Sequence, residues 1–231
     1  MASETCALAI YLDAPLQSWG VSSRFQRRDT GSHPSKSGVL GLIAAAMGID
    51  KHAADEASRL APLAACRFNV FLVSRLDNGH PALRLEDYHT VGGGYDRDDP
   101  VDRLRIARKA SGGPSTTVVT RRFYLEQTRF AAVLEGATGI LESAADALQD
   151  PVWGVWFGRK CCLPAAPLLP TLAPTSAESL RLLLEKLHAR VANEGRAERA
   201  GDGAWYQNDE PVSFGKREFR SRPLSRDPIP S

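Results

Sequence analysis

The chain has few of the residues that build metal sites and disulfide frameworks. Its 231 residues include four cysteines and five histidines. Cys161 and Cys162 are adjacent, which makes a poor disulfide, and no Cys-x-x-Cys or histidine pair has zinc-ligand spacing. Reduced thiols are typical of the cytoplasm. The sequence therefore predicts a cytoplasmic protein with no metal ion and no cofactor.

Long hydrophobic runs and a large net charge are also missing. The longest apolar stretches are short and contain glycines, so we expect no membrane segment. The net charge is only +2, but cations cluster in two places. One cluster contains Arg24, Arg27, Arg28 and Lys36, with Asp29 as its single acidic residue. The other lies between Lys216 and Arg226. Such segregation suits a nucleic-acid face beside protein-facing surfaces, although solvated charge explains either cluster alone.

The segment Pro34 to Gly48, PSKSGVLGLIAAAMG, carries the strongest local signal. Ser35 or Ser37 can cap a helix whose free N–H groups and positive dipole end favour a phosphate. Lys36 adds a full charge at the same place. The alternative is an ordinary capped helix. A P-loop requires a glycine directly before the lysine, which is absent, so we reject nucleotide hydrolysis.

Further candidate contacts lie outside this helix. Gln17 and Trp19 belong to the upstream segment PLQSWG, and Gly158 precedes the cations Arg159 and Lys160. A glycine before two cations permits close approach of a phosphate, while a solvated turn explains it equally well. Trp19, Phe25 or Tyr95 could stack on RNA bases, although core packing is the better explanation for Trp19. Phe123 and Tyr124 are expected to face opposite sides of a strand.

The element order predicts an α+β fold with a ferredoxin-like, RRM-type core. Strands are expected at 5–12, 66–75, 83–91, 116–123, 128–134 and 152–157, and helices at 37–47, 53–60 and 140–148. The glycine-bracketed segment 92–114 is predicted to be a long arm inserted in this core, and it carries Arg105, Arg108 and Lys109. We assign 1–158 to the core and 159–231 to an extension with a Pro-rich segment, one helix and a basic tail.

Several motifs, in order, resemble the CasD family, the "Cas five" group of RAMP proteins in the type I-E CRISPR Cascade complex. They are PLQSWG, PSKSGVLGLIAAAMGI, DYHTV (87–91), TRRFYLEQTRFAAVLEG (120–136), GRKCCLPAAPL (158–168) and DEPVSF (209–214). The resemblance implies a non-catalytic subunit that caps the 5′ handle of crRNA. It also implies contacts with the backbone subunit, through the arm, and with the large PAM-reading subunit. Target DNA would be met only through the complex.

Two other functions stay open at this point. The first is a metal-independent, crRNA-processing endoribonuclease, which would use His33 with Lys36 or Tyr88 with His89 as proton-transfer groups. The second is an RRM-like RNA-binding module that acts alone. The long arm and the nearly neutral charge count against the second. Against the first function, a structural or solvent-exposed role is the simpler explanation for each of these histidines.

Overall fold

Strand β1, Thr5–Asp13, shows how the sequence sets the layers of the fold. Its side chains alternate between two apolar clusters, with Leu8, Ile10 and Leu12 on one face of the sheet and Ala7, Ala9 and Tyr11 on the other. A strand that is buried on both faces must lie inside a sheet covered from both sides.

This computed structural model describes residues 4–20, 26–75, 83–91, 98–105, 118–192, 195–201 and 203–227.

The described residues form two sheets and five helices. The helices are α1 Lys36–Ala46, α2 Glu56–Ala64, α3 Pro100–Arg105, α4 Thr138–Gln149 and α5 Ser176–Leu187. The larger sheet contains β1, β4 Arg67–Arg75, β7 Arg129–Ala137, β8 Thr171–Ala173, β9 Ala189–Val191, β10 Gly195–Ala197, β11 Trp205–Ser213 and β12 Glu218–Asp227. The smaller sheet contains β2 Leu16–Gln17, β3 Arg27–Arg28, β5 Leu83–Val91 and β6 Val118–Glu126.

The centre of the larger sheet is antiparallel and has the strand order β8-β1-β7-β4. Helices α1, α2 and α4 contribute Ile43, Leu63 and Leu141 to the cluster on one face. Helix α5 covers the opposite face with Leu180 and Leu183. The fold is thus mixed α and β with antiparallel sheets, and the two faces of the larger sheet are covered by different helices.

The predicted strand at 152–157 is wrong. Pro151 precedes this segment and Gly154 interrupts it. The Val152 N–H donates to the carbonyl of Ala46 at the end of α1 (2.9 Å), and the Phe157 N–H donates to the Cys162 carbonyl (2.8 Å). The place beside β1 belongs instead to β8. Strands β10 and β12 also join this sheet, so elements on both sides of the predicted 158/159 boundary share one sheet. The division into core and extension stays a prediction.

The smaller sheet is built around β6. Strand β5 pairs with it antiparallel along its whole length, while β2 and β3 pair with its other edge. The predicted arm follows β5. Its parts 92–97 and 106–114 lie outside the described residues, and its middle contains the short helix α3. Within the described ranges, no helix has the length and apolarity to cross a membrane, and no cluster of three or more potential metal ligands occurs.

Candidate nucleic-acid interface

An open groove of about 310 Å³ lies at the N-terminal end of α1. Its wall on one side is formed by Ser35 and Ser37 of the helix start. Arg28 of β3 and Arg159 of the loop after 158 also line it. With Trp19, which also lines it, the fold brings together five residues that the sequence analysis selected, from four separate segments. We call this feature the groove.

The first turn of α1 shapes the groove. Ser35 has extended backbone angles (φ −81°, ψ 151°), and its Oγ accepts a hydrogen bond from the Gly38 N–H at 3.2 Å. The predicted cap is thereby confirmed for Ser35. Gly38 is required because a β-carbon there would lie 2.8 Å from the Trp19 ring. Ser37 is half-buried at the edge of the groove.

Gln17 and Trp19 are buried supports of the groove and offer no stacking surface. The Gln17 amide donates to the carbonyls of Leu12 (3.1 Å) and Thr128 (2.8 Å), and the Trp19 indole N–H donates to Gln17 Oε1 (2.9 Å). Trp19 is 1% exposed and stacks on Phe157 with ring centroids 5.9 Å apart. The prediction that Trp19 could stack on a base is therefore wrong, because its ring is enclosed by core residues.

Lys36 does not face outward as predicted. Its side chain is 1% exposed, and Nζ donates to Glu198 at 3.0 Å and to Glu210 at 3.1 Å. Its backbone N–H donates to Asp209 Oδ2 at 2.7 Å. Carboxylates of the same protein therefore neutralise both the lysine and part of the helix dipole. Lys36 is therefore not a candidate phosphate contact.

Gly158 and Arg159 hold the other side of the groove. Gly158 has φ +95°, and a β-carbon there would lie 1.7 Å from the Ser18 carbonyl oxygen. This glycine is thus required for close packing on Ser18, a different role from the predicted approach to a phosphate. Arg159 donates to the carbonyls of Phe123 (3.0 Å) and Arg28 (2.7 Å) and lies 4.5 Å from the centre of the Tyr124 ring. Arg159 therefore both joins the two strands β3 and β6 and supplies charge.

Arg28 is the exposed cation of the groove. Its backbone pairs with Arg122 of β6 and accepts from Arg159, which fixes the position of the residue. Its side chain is exposed and forms no hydrogen bond or ion pair with another described residue. A positioned guanidinium of this kind is suited to a phosphate oxygen, because it offers several N–H donors in one plane.

A basic and aromatic stripe crosses the face of the smaller sheet opposite to Tyr124 and Arg159. Phe123 lies beneath two guanidinium groups, those of Arg27 at 4.6 Å and Arg84 at 5.9 Å from the ring centre. Arg121 is paired in register with both Arg27 and Tyr88 and forms an ion pair with Glu86. Tyr88 is 69% exposed. Sequence reasoning missed Arg84 and Arg121, although the alternation of β5 and β6 could have placed them on one face.

The remaining predicted residues are less well connected to the groove. Arg27 contacts Asp29 at 3.0 Å and belongs to the stripe. Lys160 is exposed, with Nζ 5.7 Å from the centre of the Trp156 ring, and does not line the groove. Arg105 is the last residue of α3, and the structure describes its backbone but not its side chain. Arg24, Arg108 and Lys109 fall on positions outside the described ranges, as do Phe25 and Tyr95.

The two candidate pairs for RNA cleavage differ in geometry. Tyr88 and His89 are neighbours on β5, so their side chains point to opposite faces of the sheet. His89 Nδ1 lies 3.3 Å from Asp87 Oδ2. Lys36 is held by its two glutamates, and burial beside Arg196 lowers the pKa of His33 to about 4. Neither pair presents a free acid and a free base to one bound nucleotide.

Comparison with known proteins gives consistent matches along nearly the whole chain. Residues 7–224 match the family described as CRISPR-associated protein (Cas_Cas5). The chain is 28% identical over 226 residues to the CRISPR system Cascade subunit CasD of Escherichia coli (strain K12), covering 93% of this chain and 92% of the relative.

Two solved structures are similar in both sequence and fold. One, described as a CRISPR RNA-guided surveillance complex, has a chain 29% identical with a TM-score of 0.72, covering 96% of this chain and 90% of that one. The other, described as a Cas protein, is 28% identical with a TM-score of 0.62, covering 97% and 95%.

Proposed function

The chain belongs to the Cas5 family of CRISPR-associated proteins, and from that membership we propose that it is a non-catalytic, crRNA-binding subunit of a Cascade-type complex. Its specific task in this proposal is to hold the 5′ handle of the guide RNA. The observation that carries it is the groove, where Arg28, Arg159 and Ser37 surround an open channel at a helix start. Its relatives named above belong to Cascade and to an RNA-guided complex.

The groove suits the sugar–phosphate backbone of single-stranded RNA. Arg28 supplies an exposed charge, and the Ser37 hydroxyl can donate a hydrogen bond to the same phosphate. On the other face of the smaller sheet, the stripe carries Arg27, Arg84 and Arg121 and the exposed ring of Tyr88. Backbone contacts with interleaved aromatic groups are the usual mode of single-strand binding. The groove and the stripe are thus two candidate surfaces for the handle, on opposite faces of the smaller sheet.

The remaining parts of the proposal concern fold and partners. The strand order β8-β1-β7-β4 with α1 and α4 on one face supports a ferredoxin-like core. The arm at 92–114 is proposed to contact the backbone subunit, and another surface the large PAM-reading subunit. Target DNA would then be met through the complex. This division of labour leaves sequence recognition to base pairing, with the protein reading backbone and shape.

The test measures RNA affinity of two matched variants. Arg28→Ala should weaken binding of a repeat-derived single strand roughly tenfold, at the low end of the about 1.5–3 kcal/mol typical of hydrogen bonds to charged groups. It should also reduce the salt slope by about 0.7, the share of one phosphate on a single strand. Arg181→Ala is the control, because this exposed arginine lies on α5 across the larger sheet. Fluorescence anisotropy at several salt concentrations measures both quantities.

The same samples decide between binding and cleavage. A time course on labelled repeat RNA in EDTA should show intact RNA with the wild-type chain. Equal affinity and equal salt slope for Arg28→Ala and wild type would contradict the groove as the RNA site. Site-specific cleavage that is lost in His33→Ala or His89→Ala would replace the binding function with the endoribonuclease.

A further inference from the structure

A second cavity, of about 230 Å³, lies on the other side of the segment that leads into α1. Residues Gly31 to Pro34 form one wall, and Asp29 and Ser35 at the ends of this segment line the groove instead. Strands β4, β10, β11 and β12 form the rest of the cavity through residues such as Val70, Arg196 and Trp205. We call this cavity the pocket. It is distinct from the groove but separated from it by a single loop.

The walls of the pocket combine apolar side chains and rings with polar groups such as those of Ser32 and Gln207. Phe68 and Val70 of β4 and Leu224 of β12 form one part. The indole of Trp205 forms another, and the guanidinium of Arg196 lies 4.6 Å from the centre of its ring. Aromatic rings and guanidinium planes are the surfaces on which unstacked bases are held in RNA-binding proteins. A phosphate needs no such walls, since its recognition depends on charge and N–H donors.

The polar groups of the pocket are mostly donors. No ion pair in the described ranges includes Arg196, whose pKa is lowered by burial and by Arg226. The positive charge of Arg222 is held by Asp209 at 2.6 Å, and its buried Nη1 lies 3.5 Å from Glu198 Oε2. His33 is neutral near pH 7, because burial and Arg196 lower its pKa to about 4. The pocket therefore holds the donors of Arg196 beside apolar side chains.

Size limits what these walls can hold. Pockets for drug-sized ligands have volumes of about 300–1,000 Å³, so a cavity of about 230 Å³ accepts a single ring system at most. Among the bases, guanine presents two acceptors, O6 and N7, on one edge, and arginine is its commonest partner. Adenine presents an amino donor on that edge, which would meet the Arg196 donors unfavourably.

We propose that the pocket receives one unstacked nucleobase of the bound RNA, and that it prefers guanine through Arg196. The base would lie against the apolar walls with its acceptor edge toward the guanidinium. This inference rests on the proposed RNA-binding function. It adds a position in the RNA at which base identity, in addition to backbone charge, contributes to affinity.

The test uses mononucleotides with the full-length chain, so it does not depend on the groove. Guanosine monophosphate, adenosine monophosphate and inorganic phosphate are titrated while the four tryptophan indole N–H signals are followed by NMR, with Trp205→Phe to assign one of them. We expect the Trp205 signal to shift with guanosine monophosphate at concentrations at least tenfold lower than with adenosine monophosphate. Phosphate alone should cause no shift. Arg196→Gln should abolish the difference between the two nucleotides.

Each other outcome contradicts the proposal. Equal shifts with phosphate alone would make the pocket an anion site, and equal response to the two nucleotides would remove guanine preference. No response of Trp205 to any ligand would show that the pocket binds no base. With repeat RNA, Arg196→Gln should lower affinity only for strands that contain guanine, whereas Arg28→Ala lowers it for all strands. If RNA affinity is too weak to measure but the Trp205 signal still responds to guanosine monophosphate, the proposed function is refuted. The pocket would then remain a base-binding site without that function.

Discussion

Substitution of Lys36 is expected to damage stability and to leave the RNA contact unchanged. In the wild type, Nζ contacts Glu198 at 3.0 Å and Glu210 at 3.1 Å, and the lysine side chain is 1% exposed. Lys36→Ala removes this charge and leaves a void, with Glu210 deprived of this partner while Glu198 keeps Arg222 Nη1 at 3.5 Å. The sequence alone predicted the opposite effect, a loss of RNA affinity in a protein of normal stability.

The magnitude follows from how deeply the partners are buried. Breaking a fully buried ion pair by removing one member costs about 3–5 kcal/mol. The two carboxylates keep side-chain exposures of 17% and 24%, so water can solvate them in part and the lower end applies. We expect the free energy of unfolding to fall by about 3 kcal/mol. For a chain of this length each kcal/mol lowers Tm by about 2–4 °C, which gives roughly 6–12 °C.

Thermal and urea unfolding, followed by circular dichroism, measure this loss. Lys51→Ala is the control, because Lys51 is exposed and its substitution should change stability by no more than about 0.5 kcal/mol. Replacing Lys36 by Met together with Glu198→Gln and Glu210→Gln should recover part of the loss, since no charge is then left unpaired. An unchanged Tm for Lys36→Ala, combined with a salt slope reduced by about 0.7, would refute this reasoning and restore the phosphate contact.

Two further predictions test the groove wall and a buried histidine. Gly158→Ala should cost at least about 2 kcal/mol, measured by urea unfolding, because φ is +95° and the new β-carbon would collide with the Ser18 carbonyl; a neutral effect would contradict the packing described. The pKa of His33 is about 4 in the fold and 6.5 as its ordinary value, so the unfolded chain takes up the proton first. Stability should therefore fall by up to about 3 kcal/mol as pH drops from 6.5 to 4, relative to His33→Gln; parallel pH profiles would contradict it.

Local signals were sufficient for the elements that depend on local chemistry. The cap at Ser35 and the helix behind it follow from a serine followed by an apolar run, and both occur. The alternation of Phe123 and Tyr124 is also confirmed, since Tyr124 is 4% exposed while Phe123 contacts Arg27 and Arg84 on the other face. Periodicity and capping act within a few residues, which is why they can be read from the chain.

The features that the sequence did not predict depend on contacts between segments far apart in the chain. The partners of Lys36 are 162 and 174 residues away in sequence, so nothing near the lysine signals its burial. The segment 152–157 has apolar residues typical of a strand, but Thr171–Ala173 takes the edge of β1 instead. Edge strands need few hydrogen bonds, and short segments compete for them on small energy differences. Sequence patterns cannot rank such competitors.

The sorting of charge explains how a chain of net charge +2 can present a nucleic-acid site. The sequence suggested two basic clusters, yet in the fold Lys36 and Arg222, one from each, are buried and paired with Glu198, Glu210 and Asp209. These pairs hold β11 and the residue that follows β10 against the start of α1, and they join β12 to β11. The C-terminal strands thus use their acids to hold the helix that forms one wall of the groove. Arg28 and the arginines of the smaller sheet remain at the surface, so positive charge is available to RNA beside Ser37 in the groove and beside the exposed Tyr88 on the stripe.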